Sequence, residues 1–102
     1  MIKLTFLGDI MCKKELIEAF KVNNGYDFHE IFVKMENYFQ KSDLIIGNLE
    51  TPISKDIKDL SKEKYSFSSP YEFAKQVYDS GIKCVSTANN HCLDRGIEGL
   101  KS

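Results

Sequence analysis

The chain has no tryptophan, only two prolines and three cysteines, and almost no net charge, with 14 basic against 15 acidic side chains. That balance removes the electrostatic argument for a nucleic-acid partner or an anionic membrane surface, both of which attract strongly basic patches. Cys12, Cys84 and Cys92 are odd in number and lack CxxC or CxxH spacing, which argues against both a disulfide framework and a zinc knuckle. They read as reduced thiols packed like small apolar groups, and alternation along "KCVSTA" points Cys84 into a core. No apolar run approaches the roughly 20 residues that a membrane span needs. The opening "MIKLTFLGDIM" has no basic n-region or small-residue cleavage site, so the chain as given reads as cytoplasmic.

What is present suffices for one small domain. With 102 residues, 42% of them hydrophobic, folding can bury roughly 60 to 70% of the unfolded surface. "IKLTFL", residues 2 to 7, reads as a largely buried strand ending at a turn of Gly8 and Asp9. The following "CKKELIEAFKVNNG" carries a short helical pattern with a stop at Gly25. Phe28, Ile31, Phe32, Met35, Tyr38 and Phe39 then fall at offsets 0, 3, 4, 7, 10 and 11, the spacing of one helical stripe, with Asp27 and Glu30 as a capping-box start. This aromatic stripe reads as core packing, and His29 beside it as a surface histidine.

"DLIIGNLETP", residues 43 to 52, is a second strand ending in glycine, polar groups and Pro52. Residues 54 to 64 alternate charges and read as a solvated loop or short exposed helix, after which "YSFSS" adds an extended piece. Ser69, Pro70 and Glu72 stand as N-cap, N1 and N3 of a helix with a buried face of Phe73, Ala74, Val77 and Tyr78, ended by Gly81. "KCVSTA" is the third strand, and the last residues, 96 to 102, are too few for a confident further helix. This order predicts an α/β fold with a mostly parallel sheet and flanking helices.

Ligands of open α/β sheets gather outside the carboxyl ends of parallel strands, where loops and helix starts converge on one rim. Each strand here ends in a polar cluster: Gly8-Asp9, then Gly47-Asn48-Leu49-Glu50, then Asn89-Asn90-His91 with Asp94. Taken singly, Asp9, Asn48 and Asn89 read as turn formers that bond their own backbone. Taken together, Asp9, Glu50, an Asn90 amide oxygen and the His91 imidazole suit a divalent ion such as Mg, Mn, Fe or Zn. His91 can equally act as an acid or donate to a phosphoryl or carbonyl oxygen. Asp94 serves as a helix cap or as the group orienting His91.

"LTFLGDIM", "IIGNLETPI", "YSFSSP" and "VSTANNHCLDRGIEGL" resemble the N-terminal part of the bacterial capsule synthesis CapA family, associated with poly-γ-glutamate synthesis and related to calcineurin-like metallophosphoesterases. The resemblance runs along the whole chain. It implies that residues 1–102 are the N-terminal half of a metallophosphoesterase-like layered domain, a metal-dependent hydrolase site acting on a phosphoester, acyl or amide linkage. On this reading Asp9, Asn48, Glu50 and Asn90 are metal ligands, and His91 and Asp94 are catalytic. Two departures stand out: the parent superfamily has a histidine where this chain has Met11, and an ion-bridging aspartate where it has Asn48.

The expected substrate is a polymer or a small anion. A homo-oligomer would cover the open sheet edge of a partial fold, and relatives of this family are often membrane-anchored or extracellular. Two other functions compete with the enzyme: a non-catalytic polymer- or anion-binding subunit, and an inactive truncated fragment.

Overall fold

The computed structural model describes residues 1–55 and 66–102. The loop or exposed helix expected across 54 to 64 therefore lies, from residue 56 onward, outside the described residues. At the centre is a three-stranded parallel sheet in the order β1-β4-β5, with β1 at Leu4–Ile10, β4 at Leu44–Leu49 and β5 at Cys84–Ser86. The partial α/β fold with a mostly parallel sheet is thus what the strand pattern predicts.

β1 is longer than the apolar run that nucleates it. Leu4, Thr5 and Phe6 pair with Leu44, Ile45 and Ile46, the register then shifts, and Asp9 and Ile10 pair with Asn48 and Leu49. Gly8 and Asp9 therefore do not close the strand in a turn. Leu7 and Gly8 lie in a bulge, where an added residue re-aims the side chains that follow it, Asp9 first. Gly47 in β4 allows this close approach, since a Cβ there would stand 2.5 Å from Ile10 Cδ1.

The first helix, α1 at Lys14–Ala19, ends sooner than its sequence pattern predicts. "KVNNGY" does not stop a helix but makes an antiparallel hairpin of β2, Lys21–Val22, and β3, Gly25–Tyr26. The Asn-Asn-Gly turn chemistry that breaks helices also closes two-residue hairpins. A second difference follows. The continuous helix expected over 28 to 39 is instead two 3₁₀ turns, His29–Ile31 and Val33–Met35, followed by the short α2 at Glu36–Phe39. Asp27 Oδ1 accepts the His29 backbone N–H at 3.0 Å, a local turn and not a capping box.

α3, Tyr71–Asp79, starts at Pro70 and buries Phe73 and Val77, and Gly81 just beyond it takes φ 110°. Ser69 caps nothing. Its hydroxyl lies 2.6 Å from Thr51 Oγ1 and 3.3 Å from the Cys12 carbonyl oxygen, so it ties three segments together in the interior. A final short helix, α4, forms at Gly96–Lys101. The core of Ile10, Cys12, Ile17, Phe28, Phe39, Ile45, Phe73, Val77 and Ile82 fills one side of the sheet.

Among the described residues nothing covers the other side, so β1, expected to be largely buried, is exposed along much of its length. Leu4, Phe6, Leu44 and Cys84 are exposed on that side, Phe6 by 70%. They belong together because Leu4 pairs with Leu44, Phe6 with Ile46, and Ile46 with Cys84, and paired residues of a parallel sheet share a face. The expectation that Cys84 enters a core is therefore corrected: β5 is an edge strand of three exposed residues, and alternation delivers Cys84 to the uncovered face. Among the described residues, no helix is long and apolar enough to cross a membrane.

Candidate functional site

The bulge in β1 sets Asp9 beside Asn48, and β4 sets Asn48 beside Ser86, so one rung across the carboxyl end of the sheet reads Asp9, Asn48, Ser86. Glu50 follows directly beyond β4, its backbone N–H bonded to the Ile10 carbonyl at 3.0 Å. Past β5, Asn89 and His91 fold back over the same rim. Three stretches of sequence meet in one hydrogen-bonded group.

Its centre is Asn48. The Asn48 Nδ2 donates to Asp9 Oδ1 at 2.9 Å and also to Glu50 Oε2. Asn48 Oδ1 accepts from Asn89 Nδ2 at 3.0 Å, and the same Asn89 amide donates to the Leu49 carbonyl at 2.9 Å. Asn89 Oδ1 in turn accepts the His91 backbone N–H at 3.0 Å, which fixes where the histidine loop starts. Asn89, a turn former on sequence grounds, thus also joins the loop to the sheet.

His91 lies between two carboxylates. Its Nδ1 is 2.9 Å from Asp94 Oδ2, and its Nε2 is 3.9 Å from Glu50 Oε1. The three side chains are only 12 to 15% exposed. A neutral imidazole that donates its Nδ1–H to Asp94 carries its lone pair on Nε2, on the Glu50 side of the ring. Of the two roles left open for Asp94, orienting His91 is the one that the geometry displays.

Asp94 has a second task. Its Oδ2 accepts the Phe67 backbone N–H at 2.8 Å, and its backbone carbonyl accepts the Ser66 hydroxyl at 3.1 Å. This holds the Phe67 ring edge-on to His91, with centroids 4.7 Å apart, and the Lys13 ammonium is 5.9 Å from the centroid of the same ring. Sequence reasoning missed Phe67 and Lys13 as site residues. The signal for Phe67 was its place in "YSFSSP", one of the motifs that carried the resemblance, whereas nothing marked Lys13.

The sequence-predicted residues are therefore unequally assembled. Asp9, Asn48, Glu50, His91 and Asp94 form one connected set, while Asn90 is exposed. As arranged, the two carboxylates converge on the Asn48 amide hydrogens and not on a space for an ion. Among the described residues, no three His, Cys, Asp or Glu side chains are grouped closely enough to hold a metal. The donor set in this geometry does not fit the divalent ion that the resemblance implies.

A partial parallel α/β sheet carrying a polar site at its strand ends is the class that this geometry defines. The model of the family described as bacterial capsule synthesis protein PGA_cap matches residues 3–102, and the chain belongs to that family. It is 32% identical to the "PGA biosynthesis protein CapA" of Bacillus subtilis (strain 168) over 103 residues, covering 99% of this chain and 26% of that protein. It is also 32% identical to the "Capsule biosynthesis protein CapA" of Bacillus anthracis over 101 residues, covering 96% of this chain and 24% of that protein. The chain thus spans about a quarter of the length of these relatives. No solved structure matches it.

Proposed function

We propose that this chain carries an acid–base site of capsule or poly-γ-glutamate biosynthesis type, which hydrolyses a phosphoester, acyl or amide linkage in a polymer or a small anion. One observation supports it above the rest: His91 is oriented through Nδ1 by Asp94 at 2.9 Å while its Nε2 stands 3.9 Å from Glu50 Oε1, beyond hydrogen-bond reach. In such a pair the carboxylate fixes the tautomer and favours the imidazolium that forms during proton transfer.

In the reaction so drawn, Nε2 takes a proton from water as its oxygen attacks phosphorus or carbonyl carbon, and then returns that proton to the departing oxygen or nitrogen. The Phe67 ring edge limits how far the imidazole can swing. Lys13 supplies a positive charge at the rim for an anionic substrate, and the names of the relatives give the polymer class its support. The divalent ion is left out of this scheme because the donor geometry does not gather around one.

The test uses the purified chain with a phosphodiester reporter and with γ-linked glutamate oligomers, following product release. His91→Ala is expected to reduce turnover on the responsive substrate by about 10²- to 10⁴-fold, the usual contribution of a positioned acid or base. Equal turnover by the wild-type protein and the variant would refute the acid–base role. Oligomer binding without any product would replace the hydrolase by a polymer-binding subunit.

A further inference from the structure

The carboxylate pair raises a question that the acid–base scheme does not answer: what holds Asp9 and Glu50 together. We propose that the Asn48 carboxamide takes the place of a resident divalent ion between Asp9 and Glu50, so that this site is assembled by hydrogen bonds and excludes a metal at that position.

The argument rests on which way the amide faces. Oxygen and nitrogen of an asparagine amide are distinguished by their partners. A backbone N–H can only donate, so the Asn89 atom 3.0 Å from the His91 N–H is the oxygen. A backbone carbonyl can only accept, so the Asn89 atom 2.9 Å from the Leu49 carbonyl is the nitrogen. Two independent backbone partners thus fix Asn89, and its nitrogen is then the donor to Asn48, which must answer with oxygen. The Asn48 nitrogen is left facing Asp9 and Glu50. Turning the amide over would set its oxygen against two carboxylates and its nitrogen against another nitrogen.

The valences close. Asn48 has two amide hydrogens and spends one on each carboxylate, and both bonds are charge-assisted, the stronger kind. Glu50 divides its oxygens, with Oε2 on Asn48 and Oε1 towards His91 Nε2. An ion entering between the carboxylates would face amide hydrogens. It would have to break two charge-assisted bonds and also release the Asn89 link that places the histidine loop. The Asn48 carboxamide is held at both ends, its nitrogen by Asp9 and Glu50 and its oxygen by Asn89, so an ion would have to displace all three partners.

The test needs no catalytic readout, so its failure is distinct from a failure of the hydrolase reading. Uptake of Mn²⁺ and of Zn²⁺ by the purified chain is measured by equilibrium dialysis, each against an Asp9→Asn control that subtracts ions bound elsewhere, and melting temperature is recorded in parallel. The wild-type chain is expected to show no Asp9-dependent uptake and no metal-induced rise in melting temperature. Asn48→Asp, which replaces the two donors by a third oxygen ligand, is expected to gain one Asp9-dependent ion per chain and a rise in melting temperature on adding it. Should Asn48→Asp not fold, Asn48→Ser clears the same space without added charge and carries the same expectation. One Asp9-dependent ion per wild-type chain overturns the proposal, and so does the absence of any gain in the folded variant.

Discussion

At the scale of single residues, Cys12 shows how location sets chemistry. Burial pushes its thiol up from an ordinary 9.0 to about 12, with a hydrogen bond from Ser69 partly offsetting the rise. The folded protein keeps the proton to higher pH than the unfolded chain, so this group's stabilising contribution is complete below about 9 and is lost as pH rises towards about 12. Replacing Cys12 by alanine should flatten the alkaline fall in melting temperature over that window. A thiol reagent at pH 8 should label the exposed Cys84 first and reach Cys12 only on unfolding. The sequence could place Cys12 in the interior because a reduced cysteine packs like a small apolar group. It misplaced Cys84, since alternation reveals which residues share a face but not whether that face is covered. The site residues were legible because Asp9, Glu50 and His91 each come after an apolar run in the sequence. Their partners Phe67 and Lys13 depend on side-chain reach, which no local pattern encodes.

At the scale of elements, the segment from Phe28 to Phe39 has the spacing of a helix and the shape of successive tight turns. Its stripe is split accordingly: Phe28 is 2% exposed and Tyr38 66% exposed. Phe28 packs edge-on to Phe73 with centroids 5.4 Å apart and close to parallel with Tyr26 at 5.9 Å, which fastens the hairpin to α3. Phe28→Ala should therefore cost about 3 to 5 kcal/mol, as for other buried aromatics. Tyr38→Ala should cost about 0.5 kcal/mol or less, as at an ordinary surface position. A denaturation series comparing the two checks this, because a continuous helix with a uniformly buried stripe would penalise both. Periodicity identified the apolar anchors. It did not foresee that the anchors would reach the core through successive short turns.

At the scale of the whole molecule, the sheet has one packed face and one that no described residue covers, and the site occupies the rim of the uncovered one. Phe6 contributes to that face without support from the core, so Phe6→Ser should change stability by about 0.5 kcal/mol or less. The same substitution should lower light scattering at high protein concentration by interrupting the apolar row it forms with Leu4, Leu44 and Ile46. A stability loss of several kcal/mol would instead mean that Phe6 is covered. The parallel order of the sheet was readable from alternating strand and helix patterns, whereas the uncovered face appears only once the strands have been placed side by side.

The three-residue β5 has one further consequence, and it concerns time. His91 reaches its carboxylates by way of the shortest strand of the parallel sheet, a margin with a neighbour on one side only among the described residues, while Asp9 and Glu50 are borne by the longer pair. Brief detachment of that margin, visible as amide proton exchange at Val85, would carry the imidazole away and leave the acidic partners in place. The working lifetime of the assembled site is thus the closed interval of its least secured strand.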